Sequence, residues 1–341
     1  MNLHRHRVFS LAILLLLACF GSYATARDEI HTLRHDGLTR RFLVHLPPQY
    51  TKGKDLPMVM VFHGGGGNIE NIMRETRMNV AADRHGFIAV YPAGTGGKRR
   101  RMLTWNAGYC CGEAKENNVD DVGFVSKLID FMVSKYQVDS HRVYATGHSN
   151  GAMLSFRLAC ELPERITAVA PNSGHGRVLT CRRGTRPVPI MYLHGTEDKG
   201  LPIEGGECGG MFQDFLNSVG IPADRKSALW KCDSVQAVLK KFAARNGCST
   251  KTRRTRMSGA TLEGYLDCPK GGEVEFYLLD GAGHTWPGGE YGTDACERKP
   301  DGRLCQQWKD HAGAISRFNA NEKMWEFFSK YKIDQQVSLP Q

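Results

Sequence analysis

Val143-Tyr144-Ala145-Thr146-Gly147-His148-Ser149-Asn150-Gly151-Ala152-Met153-Leu154 is the stretch on which the fold turns. An apolar strand ends at Thr146, a helical stretch runs from Ala152 to Glu161, and a single G-x-S-x-G joins them. Such a joint leaves no room for a Cβ beside the serine. Glycines at 147 and 151 would hold Ser149 on a strained turn at a helix N-terminus, with its hydroxyl exposed. In a chain with 38 glycines so short a pattern also arises by chance. Its position between strand and helix gives it weight over a plain glycine-rich turn.

Outward from this joint, apolar runs alternate with helical stretches. Strands are expected at Phe42–Leu46, Met58–Phe62, Phe87–Tyr91, Ile166–Ala170, Val188–Leu193 and Val274–Leu279. Helices are expected where Val125, Leu128, Ile129, Met132, Val133 and Tyr136 share a stripe, from Val235 to Arg245, and from Asn321 to Lys330. This alternation implies a mainly parallel sheet with helices on both faces, and ligands beyond the carboxyl ends of its strands. Residues 199–234 do not follow the pattern and read as a Cys-bracketed insertion, a candidate lid.

Three more motifs fall at strand ends. His63-Gly64-Gly65-Gly66-Gly67-Asn68 would let the backbone amides of the Gly64–Gly66 loop, with that of Asn150, point at a developing oxyanion. Within this set Gly64, Gly65 and Asn150 are the foremost expected donors. A phosphate loop does not fit, since Ile69 stands where a dinucleotide motif needs glycine and no G-K-[ST] occurs. His194-Gly195-Thr196-Glu197-Asp198 offers Asp198 as an orienting carboxylate, with Glu197 as alternative. Gly283-His284-Thr285 puts His284 on a loop between glycines, as a base for Ser149. His63 and His194 read as loop-orienting side chains, and His148 as unable to reach back to Ser149. The order Ser149, Asp198, His284 is that of α/β-hydrolases. Trp105, Tyr109 and Trp286 are candidates to line a substrate pocket. No metal or organic cofactor is expected.

Hydrophobic residues make up 41% of the 341 and charged residues 23%, which excludes a disordered, collagen-like or polytopic membrane chain. Arg5 and Arg7, the apolar run Val8–Phe20 and Ala24-Thr25-Ala26 read as a signal peptide over 1–26, leaving 27–341 as one hydrolase domain. Leu16-Leu17-Ala18-Cys19 offers a second reading, a lipoprotein anchor at Cys19. Secretion, to the medium or the periplasm, is the expected fate. The net charge of +10 falls to about +8 without the leader. The basic runs Lys98–Arg101, Arg182-Arg183 and Lys251–Arg256 are expected on solvated loops, with an anionic wall, membrane or polysaccharide as the alternative partner. Nucleic-acid motifs are absent.

Besides Cys19, ten cysteines remain. In an exported chain they imply disulfides, expected as Cys248–Cys268, Cys296–Cys305 and Cys208–Cys232. Adjacent Cys110 and Cys111 are expected to reach elsewhere, which leaves Cys160 and Cys181 as their partners.

The segments GHSNGAM at 147–153, HGGGGN at 63–68, WNAG at 105–108 followed by CCG at 110–112, HGTED at 194–198 and GHTWPGG at 283–289 resemble the poly(3-hydroxybutyrate) depolymerase-like esterases. These are related to the feruloyl and acetylxylan esterases of carbohydrate esterase family one. The resemblance runs from about Leu33 to Tyr331. It implies an α/β-hydrolase fold, a triad of Ser149, Asp198 and His284, and action on carboxylic esters, from polyester oligomers to esterified polysaccharides. Two features depart from the pattern. The insertion follows the acid motif where relatives carry small residues and a proline. The linker and polymer-binding domain of depolymerases that attack solid polyester do not follow Lys330, so weak attack on crystalline polymer is expected. The rival activity is a feruloyl or acetylxylan esterase, with an aromatic acyl group stacked among Trp105, Tyr109 and Trp286. The non-enzyme alternatives are a binding protein on a dead hydrolase scaffold and a wall-attached adhesin.

Overall fold

All seven residues of the strand β3, Leu56–Phe62, are buried, as are those of β4, Ile88–Pro92, β6, Ala168–Asn172, and β7, Ile190–Gly195. Only a sheet covered on both faces buries whole runs in this way. The computed structural model describes residues 25–97, 102–176, 181, 185–220 and 230–333. The leader with its Cys19 motif, the basic runs Lys98–Arg101 and Arg182-Arg183, and residues 221–229 of the insertion lie outside the described residues.

Six strands form the parallel centre: β4, β3, β5 (Val138–His148), β6, β7 and β12 (Val274–Leu279), side by side in that order. Antiparallel ribbons extend both edges. On one side stand β2, Leu38–Leu46, and β1, Arg27–His35; on the other β11, Ala260–Tyr265, and β10, Thr252–Met257. Helix α1, Ile69–Thr76, α2, Met78–His85, and α10, Ala320–Phe328, bury their apolar faces in the core on one face of the sheet. On the other face lie α4, Asp121–Tyr136, α5, Asn150–Glu161, and α7, Val235–Arg245. The short α3 spans Gly112–Glu116. The α4 stripe is buried at Val125, Leu128, Ile129, Met132 and Tyr136, and Asp120 caps the helix by accepting from the Gly123 amide.

The structure corrects two expectations. Lys251–Arg256 is largely edge strand rather than loop: β10 pairs with β11 through a turn at Gly259, whose φ is +71°. Its arginines find carboxylates across the ribbon, Arg254 on Glu263 at 2.6 Å and Arg256 on Asp280 at 2.6 Å. Charge on an exposed edge discourages pairing with another chain. The second correction concerns sulfur. Cys110 and Cys111 bond each other across a cis peptide that brings their Cα atoms to 3.1 Å. Cys160 of α5 bonds Cys181, with Cα atoms 4.1 Å apart, so neither is left to receive them. The pairs 208–232, 248–268 and 296–305 are as expected.

Residues 199–234 contain a small ribbon, β8, Gly206–Cys208, with β9, Trp230–Cys232, and a helix α6, Gly210–Ser218. Phe215 of α6 meets Trp308 edge-on at 5.2 Å; Trp308 sits on α9, Arg303–Ala312, which Cys296–Cys305 ties to α8, Asp294–Arg298.

Candidate active site

The turn after β5 has the strain its sequence implies. Ser149 has φ +55° and ψ −117°, where a residue with a side chain is held only by its surroundings. A Cβ on Gly147 would stand 2.7 Å from the Phe62 carbonyl oxygen of β3, and one on Gly151 would overlap that same oxygen. The Ser149 amide donates to the Asn172 carbonyl at 3.0 Å, and the Asn172 side-chain amide donates to the Thr285 carbonyl at 3.0 Å. The end of β6 thus ties the serine turn to the loop carrying His284.

His284 Nδ1 stands 2.8 Å from Asp198 Oδ2, both side chains buried. Asp198 Oδ1 accepts from the amides of Gly200 and Leu201, each at 2.9 Å. Burial pushes the Asp198 carboxyl up, but the His284 charge and these hydrogen bonds outweigh it and hold it well below the usual carboxylate range. For His284, burial lowers the pKa, and the charge and hydrogen bond of Asp198 overcome this and raise it. Glu197 is exposed, and only its backbone is engaged, with Ala282. Asp198, not Glu197, meets His284.

If His284 is the base, it works only when neutral. Its raised pKa then predicts that kcat/KM climbs with pH through a midpoint above the ordinary imidazole value of about 6.5. A pH–rate profile on a neutral ester checks this.

The glycine loop lies against the serine. A Cβ on Gly64 would stand 3.4 Å from that of Ser149, and one on Gly65 3.6 Å from that of Asn150. The Gly66 amide is spent on the Leu103 carbonyl at 2.9 Å, which removes it from the expected donors. The Asn150 amide, in the first turn of α5, has no intrahelical acceptor. His63 fixes the loop: its Nδ1 meets the Gly64 carbonyl at 2.8 Å and its Nε2 accepts from the Gly94 amide at 2.9 Å. Burial pushes its pKa down to about 4, so it remains neutral. His194 similarly spans Tyr192 and the Leu201 carbonyl, both at 2.8 Å, behind the Asp198 turn.

Trp105 and Trp286, candidates for a pocket wall, are wholly buried in the two cores. Trp286 Nε1–H donates to Asn321 at 2.9 Å. Trp105 is a clamp. Its Nε1–H donates to the His63 carbonyl at 2.9 Å, its amide to Asn150 Oδ1 at 2.7 Å, and its carbonyl accepts from Asn150 Nδ2 at 3.0 Å. One residue therefore ties the glycine loop to the first turn of α5. Behind it, Arg40 and Asp121 form a buried ion pair at 2.6 Å, and Asp121 also accepts from the Asn106 amide at 2.7 Å. Trp105→Phe loses one hydrogen bond and leaves part of the buried indole volume empty. We expect a stability loss of about 2–3 kcal/mol by thermal melt and a kcat loss larger than any KM change.

Tyr109 is half-buried beside a third, smaller apolar cluster of Ala107, Cys110, Met153, Leu201 and Cys208, and its hydroxyl donates to the His175 carbonyl. This cluster joins the serine helix, the acid turn and the insertion. Helix α6 extends over the same end: Phe212 reaches within 3.2 Å of where a Cβ on Gly66 would stand, and Met211 within 3.4 Å of one on Gly200. His175, Cys208 and Cys232 are the one group of metal-ligand type among the described residues, and its two sulfurs are joined in a disulfide.

Residues 41–191 match the family model described as esterase PHB depolymerase. Over these residues the chain is similar to the polyhydroxybutyrate-depolymerase-like esterases. It is 28% identical to feruloyl esterase B of Piromyces equi over 75% of this chain and 44% of that one. It is also 28% identical to the bifunctional acetylxylan esterase/xylanase XynS20E of Neocallimastix patriciarum, over 74% of this chain and 32% of the relative. The chain thus spans less than half the length of either relative. In fold it resembles the acetyl xylan esterase from Aspergillus awamori, with a TM-score of 0.53 at 15% identity, covering 75% of this chain and 94% of the other. The fold is that of the α/β-hydrolases.

Proposed function

We propose that this esterase is an exported serine hydrolase of carboxylic esters working by acyl transfer. The buried Asp198–His284 pair, tied through Asn172 to the strained Ser149 turn, carries the reading. His284 takes the Ser149 proton as the hydroxyl attacks the ester carbonyl, and Asp198 fixes the tautomer and stabilises the imidazolium. The amides of Gly64, Gly65 and Asn150 hold the oxyanion. The alcohol leaves with the proton from His284, and water repeats the sequence to free the acid.

Residues 1–26 act as the leader, and 27–341 form one hydrolase domain with 199–234 as its lid. No helix among the described residues is long and apolar enough to cross a membrane. The acyl group sits against the half-buried Tyr109, at the edge of the third cluster on the end that α6 covers. A small apolar wall there suits short hydroxyacyl esters, and polyester oligomers are the first substrates to try. The feruloyl and acetylxylan esterase relatives support esterified plant polysaccharide as the second reading.

The test is hydrolysis of p-nitrophenyl acetate and butyrate, methyl ferulate and soluble 3-hydroxybutyrate oligomers, with a fluorophosphonate adduct mapped by peptide mass spectrometry. An adduct on Ser149 with turnover of any ester upholds the reading, and the preferred ester chooses the substrate class. A folded, disulfide-intact protein with neither adduct nor turnover would leave a binding protein on a hydrolase scaffold.

A further inference from the structure

A second histidine lies against His284. The His148 and His284 rings have centroids 4.6 Å apart and planes tilted by 35°. His148 Nδ1 stands 2.5 Å from Glu75 Oε1, with side-chain exposures of 6% and 18%. His148 Nε2 is buried without a hydrogen-bond partner. With Nδ1–H donated to Glu75, its acceptor lone pair lies unspent in the same enclosed space as His284.

Glu75 is held there by the loop it serves. Its carbonyl accepts the Glu290 amide at 3.0 Å, and from the same helix Asn71 and Arg74 donate to the Gly292 carbonyl at 3.0 and 3.1 Å. A Cβ on Gly289 would overlap the Glu75 carbonyl, and one on Gly292 would stand 2.6 Å from the Glu75 Cβ. Helix α1 is therefore docked on the segment just after His284, and its last turn sends one carboxylate to the ring that touches His284.

We propose that Glu75 and His148 form a positioning pair for His284, a second carboxylate–imidazole couple that holds its ring and favours its protonated form. The inference rests on reading His284 as the base. As acyl transfer moves a proton onto His284, Asp198 meets the new charge at one ring nitrogen and Glu75 supports it through His148. The other titratable groups around it are His194, 3.6 Å from Asp198, and His175, stacked on His194 at 5.6 Å. Burial pushes both of these down, so neither opposes the new charge. The Glu75 charge adds to the rise in His284. A carboxylate at this remove, partly screened, is expected to shift its titration by about half a pH unit.

The experiment is a titration of the imidazole carbon-bound protons by NMR, with the His284 signal assigned through its loss in His284→Gln. It is run beside the pH dependence of kcat/KM on p-nitrophenyl butyrate. In Glu75→Gln the His284 midpoint and the acid limb of kcat/KM are expected to move down together by about half a unit, while activity on the plateau falls less than about fivefold. His148→Phe, which keeps a ring against His284 but cannot hold Glu75, is expected to do the same, and His148→Gln to retain most of the wild-type midpoint. A purely structural pair would lower the plateau with the midpoint and limb unmoved in any variant that folds, and that result overturns the proposal. The NMR midpoint needs no turnover. A shift in a protein that hydrolyses nothing would uphold the pair while the hydrolase reading fails, and an unmoved midpoint in an active enzyme would remove the pair alone.

Discussion

Ser149→Ala is expected to lower kcat on p-nitrophenyl butyrate by at least about 10⁴-fold, and Asp198→Asn by a similar factor, with KM little changed. The two losses have different physical origins. Alanine removes the attacking oxygen. Asparagine keeps the shape of the Asp198 turn, including the oxygen that accepts from Gly200 and Leu201, but it puts an amide where His284 Nδ1–H now donates at 2.8 Å. The imidazole is then pushed to the wrong tautomer, and its cation loses its neighbour. Asp198→Asn should therefore also erase the raised midpoint of the acid limb, which Ser149→Ala cannot do. A Glu197→Gln control should stay within about twofold, because that side chain is exposed. Equal activity in Ser149→Ala would mean that another group attacks.

The second large effect is on stability. Gly151→Ala places a methyl group on the Phe62 carbonyl oxygen, and Phe62 is locked in register opposite Gly147 between β3 and β5. Neither strand can shift without breaking the centre of the sheet, so α5 must lift from it. We expect a loss of at least about 3 kcal/mol, read as a fall in Tm of about 5 °C or more, or failure to fold. Gly264→Ala on β11 is the control, since nothing lies within 4 Å of the added methyl. Its Tm should move by no more than a degree or two. If the two variants melt alike, crowding is not the reason for glycine at 151.

The parallel centre and the juxtaposition of the candidate residues are legible in the sequence because each depends on local composition at a strand end. A wholly apolar run means a doubly covered strand, and glycines on either side of Ser149 or His284 mark places where backbone must approach closely. The flanking ribbons were harder to read. β1 alternates between exposed and half-buried positions and has no apolar run, though Asp36-Gly37, with φ +46° and +72°, is a hairpin signal. Trp105 looked like a pocket wall because an aromatic near a serine suggests stacking. Its actual work, three hydrogen bonds joining His63 to Asn150, depends on contacts 42 and 45 residues apart that no local pattern encodes. Glu75 stood on an ordinary amphipathic helix. Only the crossing of α1 over the loop after His284 brings it to His148. Adjacent cysteines rarely bond each other, and nothing in the composition around Cys110 and Cys111 marks the local backbone that lets these two do so.

Taken in chain order, each cysteine from Cys110 onward is joined to the very next one, in pairs separated by 1, 21, 24, 20 and 9 residues. For a chain threaded outward from its N-terminus, this is the pattern that oxidation in order of emergence would produce. Each thiol finds its native partner before the next competitor arrives. Under the proposed export, a machinery that only oxidises, without a shuffling activity, would then suffice, and expression in a host lacking a disulfide isomerase is expected to yield the protein with its bridges correct.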